Sequence, residues 1–339
     1  MIKDIKRYNG AFSDLLPKNE VIQMMGRAGR PKYDTQGTSI VFCTEKDVRK
    51  VVDQYFTGKM DPIYSQLSRE PDLRMHCLSL ISSLDCKTKE ELLEFFANTF
   101  YSKQYGDISN KIENTLETLK ELDLVRLKGK LLLSTPLGKK ISELYLDPYT
   151  GYAFSQTKQT NDFDMLFTIC NTPELKPGFR VRKEEQEFLW DQMYEVLSEE
   201  NAAILQEDES LDTFKTATVF HEWINEKNEN ELLEQYDVLP GILQGKLKNA
   251  EWLMHSLTEI SFLKNNTSVY EVAKKLTKRI REGVKEELLE LCTIRGIGRV
   301  RARRLFNAGV KTLEDFKLKS KQEVQDIIYG KQHSQQKII

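Results

Sequence analysis

The chain has 339 residues, of which 30% are charged and 40% are hydrophobic. This length suits two or three domains, and because no apolar run approaches the length of a membrane-spanning helix, we expect a cytoplasmic protein with no membrane contact. The cysteines are odd in number and lack C-x-x-C spacing, and no histidine lies at metal-ligand spacing, so the sequence predicts neither a disulfide framework nor a metal site.

The net charge of −2 conceals a segregation of charge along the chain. Residues 160–265 contain 9 Lys and Arg against 22 Asp and Glu, whereas residues 266–339 contain 17 against 9. A basic tail of this kind is typical of a phosphate-binding surface. The alternative is that the tail docks on the acidic segment before it.

The segment from Gln23 to Gly37 reads QMMGRAGRPKYDTQG and places two arginines between glycines. Arginines three residues apart are expected on one face of a helix, and a planar guanidinium binds phosphate oxygens through paired hydrogen bonds. Arg27 and Arg30 are therefore candidate catalytic residues at a nucleoside triphosphate. The alternative is a solvated basic turn.

The residues after this motif predict one strand and one helix. The β-branched and aromatic run at residues 38–44 predicts a buried strand. Thr44, followed three residues later by Asp47, predicts a capped helix that ends near Gly58. We expect this region to be scaffold.

Residues 61–147 show an amphipathic pattern three times, followed by a hairpin pattern. The apolar residues repeat at three-to-four spacing in residues 78–84, 92–100 and 112–122, and strands are predicted at 124–127 and 131–133 around a basic turn at Gly129. This order is that of a winged helix. Its third helix either reads DNA or serves as a connector, and the mixed charge of residues 110–117 favours the connector.

A long helix is predicted near the end of the acidic segment. Its core positions recur at helical spacing and comprise Leu243, Leu247, Ala250, Met254 and Leu257. Lys248, Trp252, His255 and Glu259 then lie on another face. An indole there can stack on a base of a single strand. The alternative is that Trp252 is half-buried against a neighbouring helix.

The basic tail contains the run LCTIRGIGRVRARRL, which predicts two short helices joined by a glycine hairpin. Gly296 and Gly298 are expected to adopt positive φ and bring backbone N–H groups close to a phosphate. The side-chain charge comes from Arg299, Arg301, Arg303 and Arg304. Phosphate binding and pairing with the acidic segment are both compatible with this pattern.

These three motifs together resemble the archaeal Hjm-type DNA repair helicases, which belong to the Ski-like branch of superfamily two with the helicase region of polymerase theta. The resemblance implies a mainly α, multidomain protein. It further implies four domains: the C-terminal end of a second RecA-like α/β lobe (1–60), a winged helix (61–147), a helical ratchet bundle (148–265) and a helix-hairpin-helix-like tail (266–339).

The resemblance also implies residue roles. Gln23, Arg27 and Arg30 would face ATP, and Trp252 would stack a base of the translocating strand. Relatives often carry an arginine where this chain has Gly245, so Lys246 or Lys248 would take over that phosphate contact. The exiting strand would lie on the tail, against Gly296, Gly298, Arg299, Arg301, Arg303 and Arg304.

The implied activity is ATP-dependent DNA unwinding in repair or replication restart, on single-stranded or forked DNA. The sequence contains no G-x-x-x-x-G-K-[ST] phosphate loop. We therefore expect ATP and Mg²⁺ to be used only with the N-terminal helicase lobes, and the chain alone to be an inactive monomer without a cofactor. The alternatives are a non-catalytic scaffold that resembles the Sec63-like cassettes of spliceosomal helicases, and part of an RNA helicase.

Overall fold

The computed structural model describes residues 1–8, 13–29, 32–198 and 209–330. The chain divides into two compact units, Met1–Ser65 and Gln66–Ile339. The described residues are mainly helical with small two-stranded sheets, which confirms the expected fold class. Within these residues no helix is both long enough and apolar enough to cross a membrane.

The first unit combines a hairpin with short helical segments. Its core consists of Ile5, Leu16, Val21, Val51 and Tyr55, and the Tyr55 hydroxyl donates to the Leu16 carbonyl at 2.7 Å. The elements are β1 (Lys6–Tyr8) and β2 (Ser13–Leu15), which pair antiparallel, then α1 (Lys18–Met25), a 3-10 turn (Glu45–Asp47), α2 (Val48–Val51) and a π-helical segment (Val52–Thr57).

The buried strand predicted at residues 38–44 is wrong. The segment is extended, but in the described part of this unit only Ile2 pairs with it, at Val41. Ile40 and Phe42 are about half exposed, whereas Val41, on the opposite side of the extended segment, packs against the core of this unit. A helical segment follows Thr44 as predicted and ends at Gly58, but the predicted cap is wrong, because the Thr44 hydroxyl donates to the Asp47 carboxylate at 2.8 Å instead of accepting from the backbone. The assignment of this unit to a RecA-like lobe stays a prediction.

The second unit begins with the predicted winged helix. The helices are α3 (Glu70–Ser82), α4 (Lys89–Ala97), α5 (Phe100–Tyr105) and α6 (Ser109–Glu121), followed by β3 (Val125–Lys128) and β4 (Leu131–Ser134). Two details differ from the prediction. Thr99 caps a new helix, so Phe100 does not continue α4. Leu84 lies beyond the end of α3 with a φ of 65° and is 54% exposed instead of buried.

Eight further α-helices follow within the described residues, and the last of them lies inside the basic tail of residues 266–339. They are α7 (Pro136–Glu143), α8 (Pro148–Gln156), α9 (Asp162–Cys170), α10 (Gln186–Val196), α11 (Glu209–Ile224), α12 (Glu229–Tyr236), α13 (Pro240–Leu263) and α14 (Thr267–Glu282). One continuous hydrophobic core extends from Leu73 to Ile280. Because the winged helix and the bundle share this core, the predicted boundary between residues 147 and 148 stays a prediction.

The helix α14 packs in the core of the bundle, whereas the part of the tail that follows it has a hydrophobic core of its own. It contains α15 (Leu289–Cys292), α16 (Arg299–Asn307), α17 (Leu313–Leu318) and α18 (Lys321–Tyr329). Leu288, Leu291 and Leu305 are fully buried. Val300 is 60% exposed, and Ala302 is buried.

Candidate nucleotide and nucleic-acid sites

The arginine motif lies at the end of α1. Gln23 is on the last turn of the helix, and Arg27 follows the terminal residue Gly26 in a turn rather than on a helical face, contrary to the prediction. The turn forms because Gly29 adopts a φ of 81° and Gly37 packs against the Ala28 backbone, where a Cβ would lie 2.5 Å from the carbonyl group. Arg30 lies outside the described residues.

Gln23 and Arg27 line the same open cleft of about 590 Å³. Both side chains are exposed, and in the described part of the chain the Arg27 guanidinium has neither a hydrogen-bond acceptor nor an ion-pair partner. An unpaired guanidinium at a cleft can bind an anionic ligand without first breaking an internal ion pair. The structure thus brings together two of the three predicted nucleotide-facing residues.

The third long helix of the winged helix, α6, has its lysines engaged internally. Lys111 donates to the Tyr101 hydroxyl at 3.0 Å, and Lys120 pairs with Glu117 at 2.8 Å. Both contacts use charge that base or phosphate binding would require. They favour a connector role for α6, which stays a prediction.

The long helix α13 buries the five residues predicted to face the core, and it leaves Lys248 and His255 exposed. No Cβ added at Gly245 would meet another atom within 4 Å, so the backbone is open there. Among the described residues Lys248 has no hydrogen-bond or ion-pair partner. This combination of an accessible backbone and an unpaired ammonium suits a phosphate chain.

Lys246 lies on the same helix but is engaged by the protein. Its ammonium donates to the carbonyls of Leu175 at 2.9 Å and Pro177 at 2.6 Å and lies 5.8 Å from the centre of the Phe179 ring. Burial lowers the pKa of this ammonium. Of the two lysines predicted to contact phosphate, Lys248 is therefore the accessible one.

Trp252 is half-buried and packs against the core of the second unit. Its indole N–H donates to the Leu144 carbonyl at 3.1 Å, at the end of α7. The packing alternative thus describes Trp252, which shares its side of α13 with Lys248, four residues earlier. This hydrogen bond fixes the ring, as a stacking platform requires, and base stacking itself stays a prediction.

The glycine hairpin of the tail differs in part from the prediction. Gly296 has a φ of 85°, as predicted. Gly298 has a φ of −98° and forms the extended N-cap of α16, so the prediction of positive φ there is wrong. An N-cap requires extended backbone, which explains the difference. No atom lies within 4 Å of a Cβ added at Gly298, so a ligand can approach this backbone.

Two of the four tail arginines contact the bundle. Arg303 forms bonds of 2.8 and 2.5 Å with the Glu226 carboxylate and a third, of 2.8 Å, with Glu287. Arg299 donates to the Lys227 carbonyl at 3.0 Å and stacks on the Trp223 ring at 4.4 Å from its centre. Both side chains therefore dock on the acidic segment, as the alternative prediction stated. Phosphate binding by these two arginines stays a prediction.

The other two arginines have partners inside the tail. Arg301 donates to the Gly296 carbonyl at 2.6 Å and lies over the Tyr329 ring, and Arg304 donates to the Ile328 carbonyl. These guanidiniums retain further donors, because each carries five N–H groups.

Sequence reasoning missed Trp223, which organises the junction of the bundle and the tail. The indole N–H donates to the Ile280 carbonyl at 2.8 Å, and Gly283, at a φ of 64°, lies so close that a Cβ there would be 2.6 Å from the ring. Arg299 covers the ring as described above. The glycine that ends α14 was the available signal, since positive φ at a helix end favours glycine.

Comparisons with known proteins agree with this architecture. A family profile described as archaeal helicase, domain 4, matches residues 163–283, and one described as a helix-turn-helix domain matches residues 37–126. The ATP-dependent DNA helicase Hel308 of Methanocaldococcus jannaschii is 36% identical over 324 residues, which cover 93% of this chain and 26% of the relative. The chain belongs to the archaeal Hel308, or Hjm-type, helicase family.

Other Hel308 proteins show the same relation. The Hel308 helicase of Pyrococcus horikoshii is 35% identical over 94% of this chain, and that of Thermoplasma volcanium is 32% identical over 97%. The chain spans 46% and 48% of these two relatives, so it covers about half of their length. The matched part is their C-terminal region.

Proposed function

We propose that this chain is the part of an ATP-dependent DNA helicase that holds single-stranded DNA, and that the exposed face of α13 is its main contact with the strand. One observation carries the proposal: Lys248 and Trp252 lie one helical turn apart on α13. Lys248 is exposed and has no ion-pair or hydrogen-bond partner within the described residues, and Trp252 is held by its hydrogen bond to Leu144. A cation and a fixed aromatic ring at this spacing supply phosphate attraction and base stacking, the two forces that bind single strands without reading sequence.

The proposal assigns the first unit to the nucleotide. Gln23 and Arg27 line an open cleft, and the unpaired guanidinium of Arg27 fits the phosphate oxygens of ATP. Arg30, three residues later in the sequence, would add a second guanidinium. The remaining parts of an ATP site, a phosphate loop and Mg²⁺-binding carboxylates, would come from helicase lobes that act together with this chain on forked DNA.

A fluorescence anisotropy titration with a labelled thymidine oligonucleotide tests the DNA contact. We expect Trp252→Ala to weaken binding about tenfold, the size of one base-stacking contact. Trp190→Ala is the matched control, because Trp190 is also partly buried against the core but lies on α10. Equal affinities for wild type and Trp252→Ala, or equal losses for both variants, would contradict the proposal.

The salt dependence of the same titration tests the phosphate contact. Each phosphate that a lysine neutralises on a single strand contributes about 0.7 to the slope of log affinity against log salt. We expect Lys248→Ala to reduce that slope by about this amount, and an unchanged slope would remove Lys248 from the interface. A uridine ribo-oligonucleotide of the same length distinguishes the RNA alternative, since preference for RNA requires contacts to the 2′-hydroxyl.

A further inference from the structure

Tyr145 occupies a backbone position that normally belongs to glycine. It follows Leu144, the C-cap residue of α7, and has a φ of 58°. Its N–H bonds to the Ser142 carbonyl at 3.1 Å, and the next N–H, of Leu146, bonds to Ile141 at 3.2 Å, which closes the helix end. Glycine or asparagine is usual at this position, and a bulky side chain there is strained. The tyrosine is therefore not explained by helix termination.

The Tyr145 side chain is not explained by packing either. It is 73% exposed, more than the other tyrosines of the described second unit. Within the described residues its ring has no aromatic or cationic neighbour and its hydroxyl has no hydrogen-bond partner. Tyr149, by contrast, is covered by the Arg74 guanidinium at 4.5 Å from the ring centre. Strained residues with free side chains concentrate at functional sites.

The backbone of Tyr145 lies close to the Trp252 indole. The carbonyl that accepts the indole N–H at 3.1 Å belongs to Leu144 and lies in the same peptide plane as the Tyr145 nitrogen. Standard peptide dimensions then place the Tyr145 Cα within about 6 Å of the indole nitrogen. One hydrogen bond thus holds the half-buried Trp252 indole close to the backbone of Tyr145, whose side chain is exposed.

We propose that Tyr145 is a second base-stacking residue, which holds the base next to the one on Trp252. This inference rests on the proposed function, because it requires a single strand on the α13 face. Single-stranded nucleic acid is the ligand that fits, since its successive unstacked bases each present a flat face to a ring. Lys248 on α13 has no partner within the described residues and can attract a phosphate. This charge favours a nucleic acid over a purely apolar partner.

The unusual backbone permits a variant that removes the ring and relieves the strain together. We expect Tyr145→Gly to leave the Tm unchanged or raise it by up to about 3 °C, and to weaken oligonucleotide binding about five- to tenfold. Tyr145→Phe keeps the ring and should keep the affinity. Leu84→Gly is the matched control, because Leu84 also follows a helix end at positive φ and is 54% exposed, and it should leave binding unchanged.

Anisotropy titrations of these variants beside Trp252→Ala separate the two claims. If Trp252→Ala weakens binding while Tyr145→Gly binds as wild type does, the second stacking residue is refuted and the proposed function stands. If Trp252→Ala has no effect, both fail.

Photocrosslinking with an oligonucleotide that contains 5-iododeoxyuridine gives an independent readout. We expect mass spectrometry to locate adducts on Tyr145, and adducts on Trp252 without any on Tyr145 would overturn the inference.

Discussion

The ion pair between Arg303 and Glu226 holds the tail on the helical bundle. A double-mutant cycle measures how strongly the two side chains are coupled. The side chains of Arg303 and Glu226 are 27% and 17% exposed and share two charge-assisted hydrogen bonds. Exposed ion pairs contribute about 0.2 to 1 kcal/mol, whereas breaking a buried pair costs about 3 to 5 kcal/mol. This partly buried pair should lie between these limits, at a coupling of about 2 kcal/mol.

Urea unfolding of wild type, Glu226→Ala, Arg303→Ala and the double variant gives the coupling energy. The exposed pair of Lys275 and Glu286, whose side chains are 52% and 60% exposed, is the matched control and should couple by less than about 0.5 kcal/mol. A coupling of Glu226 with Arg303 no larger than that of the control pair would refute the docking role.

The same pair predicts a pH dependence. Burial raises the pKa of Glu226, but the bonds from Arg303 and from the Lys285 N–H outweigh it, so the pKa lies below its ordinary value of 4.5. A carboxyl group whose pKa is lower in the folded state stabilises the fold fully at pH values above its pKa in the unfolded state. That stabilisation is lost as the pH falls through its pKa in the folded state. We therefore expect full coupling at pH 7 and a smaller coupling below pH 4.5, and a coupling that grows on acidification would contradict this assignment.

Three further substitutions test separate parts of the structure. Gly283→Ala should destabilise the protein by at least about 2 kcal/mol, because the new methyl group meets the Trp223 ring at a strained φ; urea unfolding measures it, and a neutral result would contradict that packing. Lys215→Met should lower the free energy of unfolding by about 2 to 3 kcal/mol in the same assay, because the Lys215 ammonium is 1% exposed and pairs with Glu185 at 2.7 Å. A decrease below about 1 kcal/mol would show that the fold does not depend on this pair. Arg27→Ala, in a protein that joins this chain to the helicase lobes, should lower the ATPase rate about a thousandfold, whereas an unchanged rate would remove Arg27 from the nucleotide site.

Local sequence patterns predicted much of the helical structure because the information lies within a few residues. The core stripe of α13 follows from spacing alone, and all five residues assigned to it are buried. The hairpin around Gly129 follows from turn preferences.

Features that depend on distant partners were not predictable in this way. The segment at residues 38–44 has strand-like composition, yet burial of a strand depends on neighbours that composition does not specify. Arg303 and Glu226 are 77 residues apart, so charge segregation indicated docking of the tail without identifying the pair. The helix pattern of α7 does not indicate that Tyr145 ends it at positive φ, because glycine is the expected residue there.

The DNA contact proposed above requires a single strand on the exposed face of α13. A structure of the chain bound to a thymidine oligonucleotide measures the position of each base directly. We expect one base stacked on the Trp252 indole and phosphates within hydrogen-bond distance of the Lys248 ammonium. A strand bound elsewhere, with both side chains free of contact to it, would refute the proposed function.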